Sequence, residues 1–171
     1  MDAFSPTLTN ESLSVYHQSN RDAEYIFTTM ATDIRVTCGN NRLAAIASEA
    51  LTSPVYRYVV TSSPSKGARA LNVDFTAKYA FHGWDIYAFL GTYNSIMSGY
   101  SDADKRFSST LQDNILKFIN TGKPEDKSWL PYPQKVALIS DRIGVNKSYN
   151  AEQCLFWRDA IEDFANYSWT N

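Results

Sequence analysis

The sequence is short of the residues that several enzyme and metal-site chemistries need. It has only two histidines and two cysteines among 171 residues, which excludes a histidine-rich metal site, and no Cys/His spacing suits zinc. Its seven glycines form neither a phosphate-binding loop nor a Gly-x-Ser-x-Gly nucleophile elbow, and no His-Glu-x-x-His motif occurs. We therefore predict no cofactor and no bound metal.

Long apolar runs and an excess of charge are also missing. No segment approaches the roughly 20 apolar residues that cross a bilayer, and residues 1–6 lack the basic start and apolar run of a signal peptide. A net charge of −2 gives no electrostatic reason to bind nucleic acid or an anionic membrane. What is present is a chain with 44% hydrophobic and 14% aromatic residues, long enough for one domain with its own core.

The two cysteines, Cys38 and Cys154, leave two interpretations open. An even number is compatible with a disulfide, and two buried free thiols explain it equally well. Three Asn-x-Ser sequons occur, at Asn10, Asn146 and Asn166. In a chain so rich in Asn, Ser and Thr about two sequons would arise by chance, so their occurrence alone carries little weight.

The first third of the chain is predicted to be a lead-in followed by helices. Residues 1–20 are polar and rich in Ser, Thr and Asn, so we expect a loosely ordered lead-in. From Asp22 apolar residues recur at three- and four-residue steps, which predicts a helix. We expect this helix to break at residues 39–41, to resume, and to stop at the Ser53-Pro54 pair.

Few strands are predicted in the rest of the chain. Residues 55–60 are dense in β-branched and aromatic residues, and residues 135–139 form a second, shorter strand. Ser101 opens a helix with Asp104 placed for a capping box, and Gly122 ends that helix. Strands spread among helices indicate an α/β fold, a piece of a larger sheet.

The last helix is predicted to begin at Asn150, capped by that residue together with Gln153. Its apolar face consists of Cys154, Trp157, Ile161 and Phe164.

Residues 81–91, with the sequence Phe-His-Gly-Trp-Asp-Ile-Tyr-Ala-Phe-Leu-Gly, place His82 in a break between an extended apolar segment and a helix. Gly83 permits backbone angles that are closed to other residues, and it removes a side chain that would crowd the imidazole. A ring presented in this way can act as an acid–base at neutral pH. A packed or solvent-facing histidine without chemistry is the alternative, and for His17, in the polar lead-in, solvent exposure is expected.

Several separated segments resemble the carboxyl-terminal third of the type-B carboxylesterases, the cholinesterase-like branch of the α/β-hydrolases. They match the family's strand before the histidine loop, the loop itself, a helix end with a tryptophan–proline turn, and the Cys-Leu-Phe-Trp opening of the last helix. The segments are, in that order, residues 53–58, 81–91, 118–124 with 129–132, and 154–157.

This resemblance implies that residues 1–171 are the carboxyl-terminal part of an α/β-hydrolase fold, incomplete by itself. It implies that His82 is the catalytic histidine and that Gly83 and Asp85 support its loop. In these enzymes the triad follows the chain order Ser, acid, His, so the serine and the orienting carboxylate are expected upstream of Met1. The chain would then be inactive alone and would need the amino-terminal part of the domain, and the parent enzyme would hydrolyse small carboxylic esters.

The resemblance also implies a disulfide between Cys38 and Cys154. Such a bond indicates an oxidising compartment, and hence a secreted or extracellular parent protein. Relatives often dimerise through their last helix, so the resemblance implies a homodimer through the region 150–166, although packing within the chain explains the apolar stripe of that region equally well.

Two alternatives remain open at this stage. The cholinesterase-like family contains non-catalytic adhesion and binding members, which keep the fold and lose triad residues. The chain could also be a truncated product that does not fold stably, because its sheet edge lacks the strands it was meant to pack on.

Overall fold

The computed structural model describes residues 6–17, 20–69 and 74–160, and the chain divides into two compact units. Met1–Thr52 with Ser148–Asn171 form one, called here the helical unit, and Ser53–Lys147 form the other, the sheet unit. The elements in chain order are α1 (Pro6–Tyr16), α2 (Ala23–Thr32), a π-helical turn (Asp33–Thr37), α3 (Cys38–Ala50), β1 (Arg57–Val60), α4 (Trp84–Leu90), a 3-10 turn (Tyr93–Ser95), α5 (Asp102–Thr121), β2 (Val136–Ile139), β3 (Ile143–Asn146) and α6 (Ala151–Ala160). None of the described helices is long and apolar enough to cross a membrane.

The helical unit begins with a helix where we expected a loosely ordered lead-in. Pro6–Tyr16 is helical, and Tyr16 is buried. It packs with Met30, Ile34 and Trp157 in a small core that combines three segments of the chain. The buried tyrosine, together with the partly buried Leu8 and Val15, docks this helix.

The predicted helix break at residues 39–41 is wrong. The backbone stays helical from Ala23 to Ala50, with one widened π turn between α2 and α3. Gly39 lies inside α3 and is buried, so packing outweighs the roughly 1 kcal/mol by which glycine disfavours a helix interior.

The sheet unit contains a three-stranded sheet in the order β1-β2-β3. β1 pairs parallel to β2, with Arg57 opposite Val136, and β2 pairs antiparallel to β3, with Val136 opposite Asn146. The strands predicted at residues 55–60 and 135–139 are confirmed. β3 was not predicted, because a four-residue Ile-Gly-Val-Asn alternation is too short and too polar to stand out.

Aromatic residues fill the core of the sheet unit. Trp84 and Phe107 are fully buried and stack with ring centroids 5.6 Å apart, which joins α4 to α5. Trp129 meets Tyr56 and Tyr58 edge to face at 6.2 and 6.0 Å. These rings and the inward residues of β2, Ala137 and Ile139, form one cluster.

The helix predicted to open at Ser101 is confirmed. Ser101 and Asp104 form the reciprocal capping box, and Gly122 ends the helix in the left-handed conformation at φ 71°. The chain is thus a mixed helix and small-sheet fold of the α/β type, in agreement with the predicted class.

Candidate functional site

His82 lies in a tight turn directly before α4. Its side chain is exposed, and no side chain in the described part of the molecule is hydrogen-bonded to its ring. Gly83 follows at φ 84° and ψ 0°, and the Trp84 amide donates to the Phe81 carbonyl at 3.0 Å. The turn therefore holds the imidazole away from the core, where solvent or another reactant can reach it.

Gly83 is required for its backbone angles. Apart from its neighbours in sequence, His82 and Trp84, a Cβ built at this position meets no heavy atom within 4 Å in the described structure. A side chain would still be strained, because a positive φ is unfavourable for residues other than glycine.

The turn is anchored on its carboxyl-terminal side by Trp84. Besides Phe107, the indole contacts Phe81 and Tyr93, with centroids 5.8 and 5.3 Å away. Three aromatic neighbours fix the first residue of α4. The exposed histidine is thus two residues from one of the most buried side chains of the sheet unit.

A second anchor runs from strand β1 to Asp85. The Tyr58 hydroxyl donates to Asp85 Oδ2 at 3.1 Å, while Asp85 Oδ1 accepts from the Ile86 amide at 3.0 Å. Burial, together with the neighbouring Asp85 carboxylate, raises the pKa of Tyr58 to about 12, so the phenol remains a hydrogen-bond donor at neutral pH. This carboxylate is therefore turned toward the sheet.

His17, the second histidine, is exposed at the end of α1, as expected. In the part of the chain that the structure describes, no three His, Cys, Asp or Glu side chains lie together as metal ligands would.

The disulfide between Cys38 and Cys154 is present. The two Cα atoms are 5.2 Å apart and the residues are 116 positions apart in sequence, so the bond ties the start of α3 to α6. The expectation of this pairing is confirmed.

A buried polar network near the disulfide was missed by the sequence analysis. Trp157 Nε1 donates to Tyr16 Oη at 2.8 Å, Tyr16 Oη donates to Asp33 Oδ2 at 2.9 Å, and Asn150 Nδ2 donates to both Asp33 oxygens at 2.9 Å. Asn150, expected as a helix cap, thus uses its amide nitrogen on Asp33. The one available signal was an aspartate inside an apolar helical pattern beside Ile34.

Burial shifts the pKa values of two groups in this network. Burial raises the pKa of Asp33, although hydrogen bonds from Asn150, Tyr16 and Thr37 act in the opposite direction. Burial and the nearby Asp33 charge raise the pKa of Tyr16 as well. The network lies in the helical unit, where it joins Tyr16 of α1 and Asp33 of the π turn to Asn150 and to Trp157 of α6.

Comparison with known proteins identifies the group to which these features correspond. The model of the carboxylesterase family matches residues 1–157. No curated protein sequence matches the chain.

Proposed function

This chain belongs to the carboxylesterase family, and from that membership we propose that it carries the catalytic histidine, His82, of a serine carboxylesterase. The observation that carries the proposal is the placement of an exposed imidazole on a left-handed glycine turn. The carboxyl-terminal side of that turn is anchored at two consecutive residues, Trp84 and Asp85. A general base needs this combination of access and fixed direction.

In the proposed reaction the His82 imidazole takes the proton of a serine hydroxyl as its oxygen attacks the ester carbonyl carbon. The imidazolium then returns that proton to the departing alkoxide, which leaves an acyl-enzyme. Water, deprotonated by the same ring, attacks the acyl-enzyme and releases the acid and the serine. The ring therefore acts in both halves of the reaction.

The serine and the orienting carboxylate are proposed to come from residues outside this sequence. The 171 residues contain no Gly-x-Ser-x-Gly, and Asp85 is bonded to Tyr58. The free edge of β1, which pairs with no other described strand than β2, suits addition of further parallel strands. The chain alone is then expected to lack esterase activity.

The experiment uses the polypeptide encoded by the complete reading frame that contains these residues. We expect His82→Gln to lower kcat for a nitrophenyl ester by roughly 10⁴-fold. His17→Gln is the matched control, since it removes the other, exposed histidine, and it should leave kcat unchanged. Full activity of the His82→Gln enzyme would refute the proposal.

A second experiment distinguishes the proposed enzyme from a non-catalytic binding protein. If the complete polypeptide has an intact nucleophile elbow, a fluorophosphonate probe should label its serine covalently. If another residue replaces the serine, the chain is part of a binding module and the catalytic proposal fails. The isolated 171-residue chain should show neither labelling nor turnover above background.

The homodimer through the last helix also remains a proposal. On α6 the Leu155 side chain is 48% exposed, as a residue at a helix–helix interface would be in a monomer. Leu155→Glu is expected to shift a dimer to monomer in sedimentation, and an unchanged oligomeric state would contradict this interface.

A further inference from the structure

The Asn-x-Ser sequons are a sequence feature that the proposed esterase role does not use. Two of them lie within the described residues, Asn10-Glu11-Ser12 and Asn146-Lys147-Ser148, and the one at Asn166 lies outside these residues. We propose that Asn146 is an acceptor for an N-linked glycan. The proposal is independent of whether His82 is catalytic.

The first argument is the orientation of Asn146 at the end of β3. Along this strand Ile143 and Val145 are partly buried, whereas Gly144 and Asn146 are exposed. Side chains alternate between the two faces of a strand, so the Asn146 amide points to solvent. No side chain among the described residues is hydrogen-bonded to that amide.

The second argument is the accessibility of the whole sequon. Lys147 and Ser148 are exposed as well, so the acceptor amide and the serine hydroxyl that completes the motif are both open to an enzyme. Asn146 ends the last strand of the sheet and Ser148 follows it, at the surface position that this motif requires.

The Asn10 sequon lacks that arrangement. It lies inside α1, where residues two positions apart do not face the same side. Asn10 is exposed, whereas Ser12 is only 1% exposed and its hydroxyl donates to the Thr9 carbonyl at 2.9 Å. In the folded protein one enzyme cannot engage both groups, so the geometry favours Asn146.

The third argument is the compartment. The Cys38–Cys154 disulfide is of the kind that forms in an oxidising compartment such as the lumen of the endoplasmic reticulum. Transfer of oligosaccharide to asparagine takes place in the same lumen. A chain that acquires this bond there would meet the transferase.

The modification is a group transfer from a lipid-linked diphosphate oligosaccharide. Asn146 Nδ2 forms a bond to the anomeric carbon of the first sugar as the bond from that carbon to the diphosphate oxygen breaks. The lipid diphosphate leaves with the electron pair, and the amide loses one proton. No oxidation or reduction occurs.

The test is expression of the chain behind a cleavable secretion signal in a eukaryotic cell, in an Asn166→Gln background that removes the sequon outside the described residues. We expect a mass increase that peptide N-glycosidase removes. Asn146→Gln should abolish this increase, and Asn10→Gln should leave it unchanged. Cell-retained protein is analysed together with secreted protein, because transfer in the lumen precedes export.

Two further variants show whether loss of the glycan comes from the broken sequon or from misfolding. Ser148→Ala keeps the asparagine but breaks the motif and should lose the glycan, and Ser148→Thr restores the hydroxyl and should keep it. An unmodified chain in the Asn166→Gln background would overturn the proposal. So would a glycan that persists in Asn146→Gln and disappears in Asn10→Gln.

Discussion

The two units each bury one aspartate almost completely, and the two carboxyl groups respond in opposite ways. Asp33 in the helical unit and Asp104 in the sheet unit are both 1% exposed. Burial raises the pKa of Asp33 despite its hydrogen bonds. Burial acts in the same direction on Asp104, but hydrogen bonds from Ser65 and Ser101 outweigh it, and the pKa of Asp104 is lowered. Equal exposure of the two side chains therefore does not decide the direction of the pKa shift.

The two carboxyl groups differ in their hydrogen-bond donors. Asp104 accepts from two backbone amides, Ser65 N at 3.1 Å and Ser101 N at 2.7 Å, and from both serine hydroxyls. It also lies in the first turn of α5, where the helix dipole favours negative charge.

Asp33 has neither advantage. The side chains of Tyr16, Asn150 and Thr37 supply its hydrogen bonds, and it lies in the middle of a continuous helix. Asp104 thus has both serine hydroxyls and backbone amides as donors at a helix start, whereas the donors of Asp33 are side chains at mid-helix.

The units also differ in what holds their segments together. The helical unit joins distant parts of the chain through a disulfide and the Asp33 network. The sheet unit is one continuous segment with an aromatic core around Trp84 and Phe107.

The largest expected effect comes from removing the disulfide with Cys38→Ser and Cys154→Ser together. For a separation of 116 residues the chain-entropy model gives about 5 kcal/mol of lost stability. Hydrogen exchange read by mass spectrometry should show loss of protection in α1, α3 and α6, with the sheet unit still protected. Wild-type protein treated with a reducing agent should behave like the double variant, and equal loss of protection in both units would contradict the comparison.

Asp104→Asn should have the next largest effect, about 2 kcal/mol at neutral pH, because charge-assisted hydrogen bonds are lost. The folded pKa of Asp104 lies below the ordinary value of 3.8. Its ionised form therefore stabilises the fold above that value, and this contribution is lost as the pH falls through the folded pKa. Urea unfolding measures this effect at neutral and acidic pH. The free energies of unfolding of wild type and variant should differ at neutral pH and become equal in acid.

Asp33→Asn should change the pH dependence in the opposite direction. The folded pKa of Asp33 lies above 3.8, so its stabilising contribution is complete below that value and is lost as the pH rises through the folded pKa. We expect the free energy of unfolding to fall by about 1 kcal/mol at neutral pH. The loss is small because removing a buried charge partly offsets the loss of hydrogen-bond acceptors. If the difference in free energy of unfolding between wild type and variant instead disappeared in acid, as expected for Asp104, the two aspartates would not differ in the direction of their pKa shift.

Tyr58→Phe should lower the free energy of unfolding by a similarly small amount, about 1 kcal/mol, through loss of the hydrogen bond to Asp85. Faster hydrogen exchange is expected for amides in the first turn of α4, next to His82. Tyr56→Phe is the matched control, because Tyr56 also packs on Trp129 and its hydroxyl is bonded to no described residue. Unchanged exchange near His82 in Tyr58→Phe would show that this bond does not support the turn.

Local signals predicted a large part of the sheet unit. The Ser101–Asp104 capping box, the Gly122 stop and strands β1 and β2 could be predicted because each depends on residues that are neighbours in sequence. The turn at His82 and Gly83 belongs to this group. The disulfide pairing followed from resemblance to a family, since two cysteines alone left free thiols equally possible.

In the helical unit, prediction from local sequence patterns failed where long-range contacts determine the structure. Gly39 appeared to end a helix, and residues 1–20 appeared loosely ordered, because neither prediction included the partners that bury Gly39 and Tyr16. The Asp33 network could not be predicted for the same reason, because two of its donors, Tyr16 and Asn150, lie 17 and 117 residues away in sequence.

The sequence by itself determined the local elements, their caps and the family to which the chain belongs, because these depend on short patterns of residue type. Only the tertiary structure decided in which direction the pKa of each buried aspartate is shifted and that Asp85 is bonded to Tyr58. It also decided which described sequon is open to solvent. These properties follow from donors and neighbours that meet in space, and their free energies depend on distances that residue order does not specify.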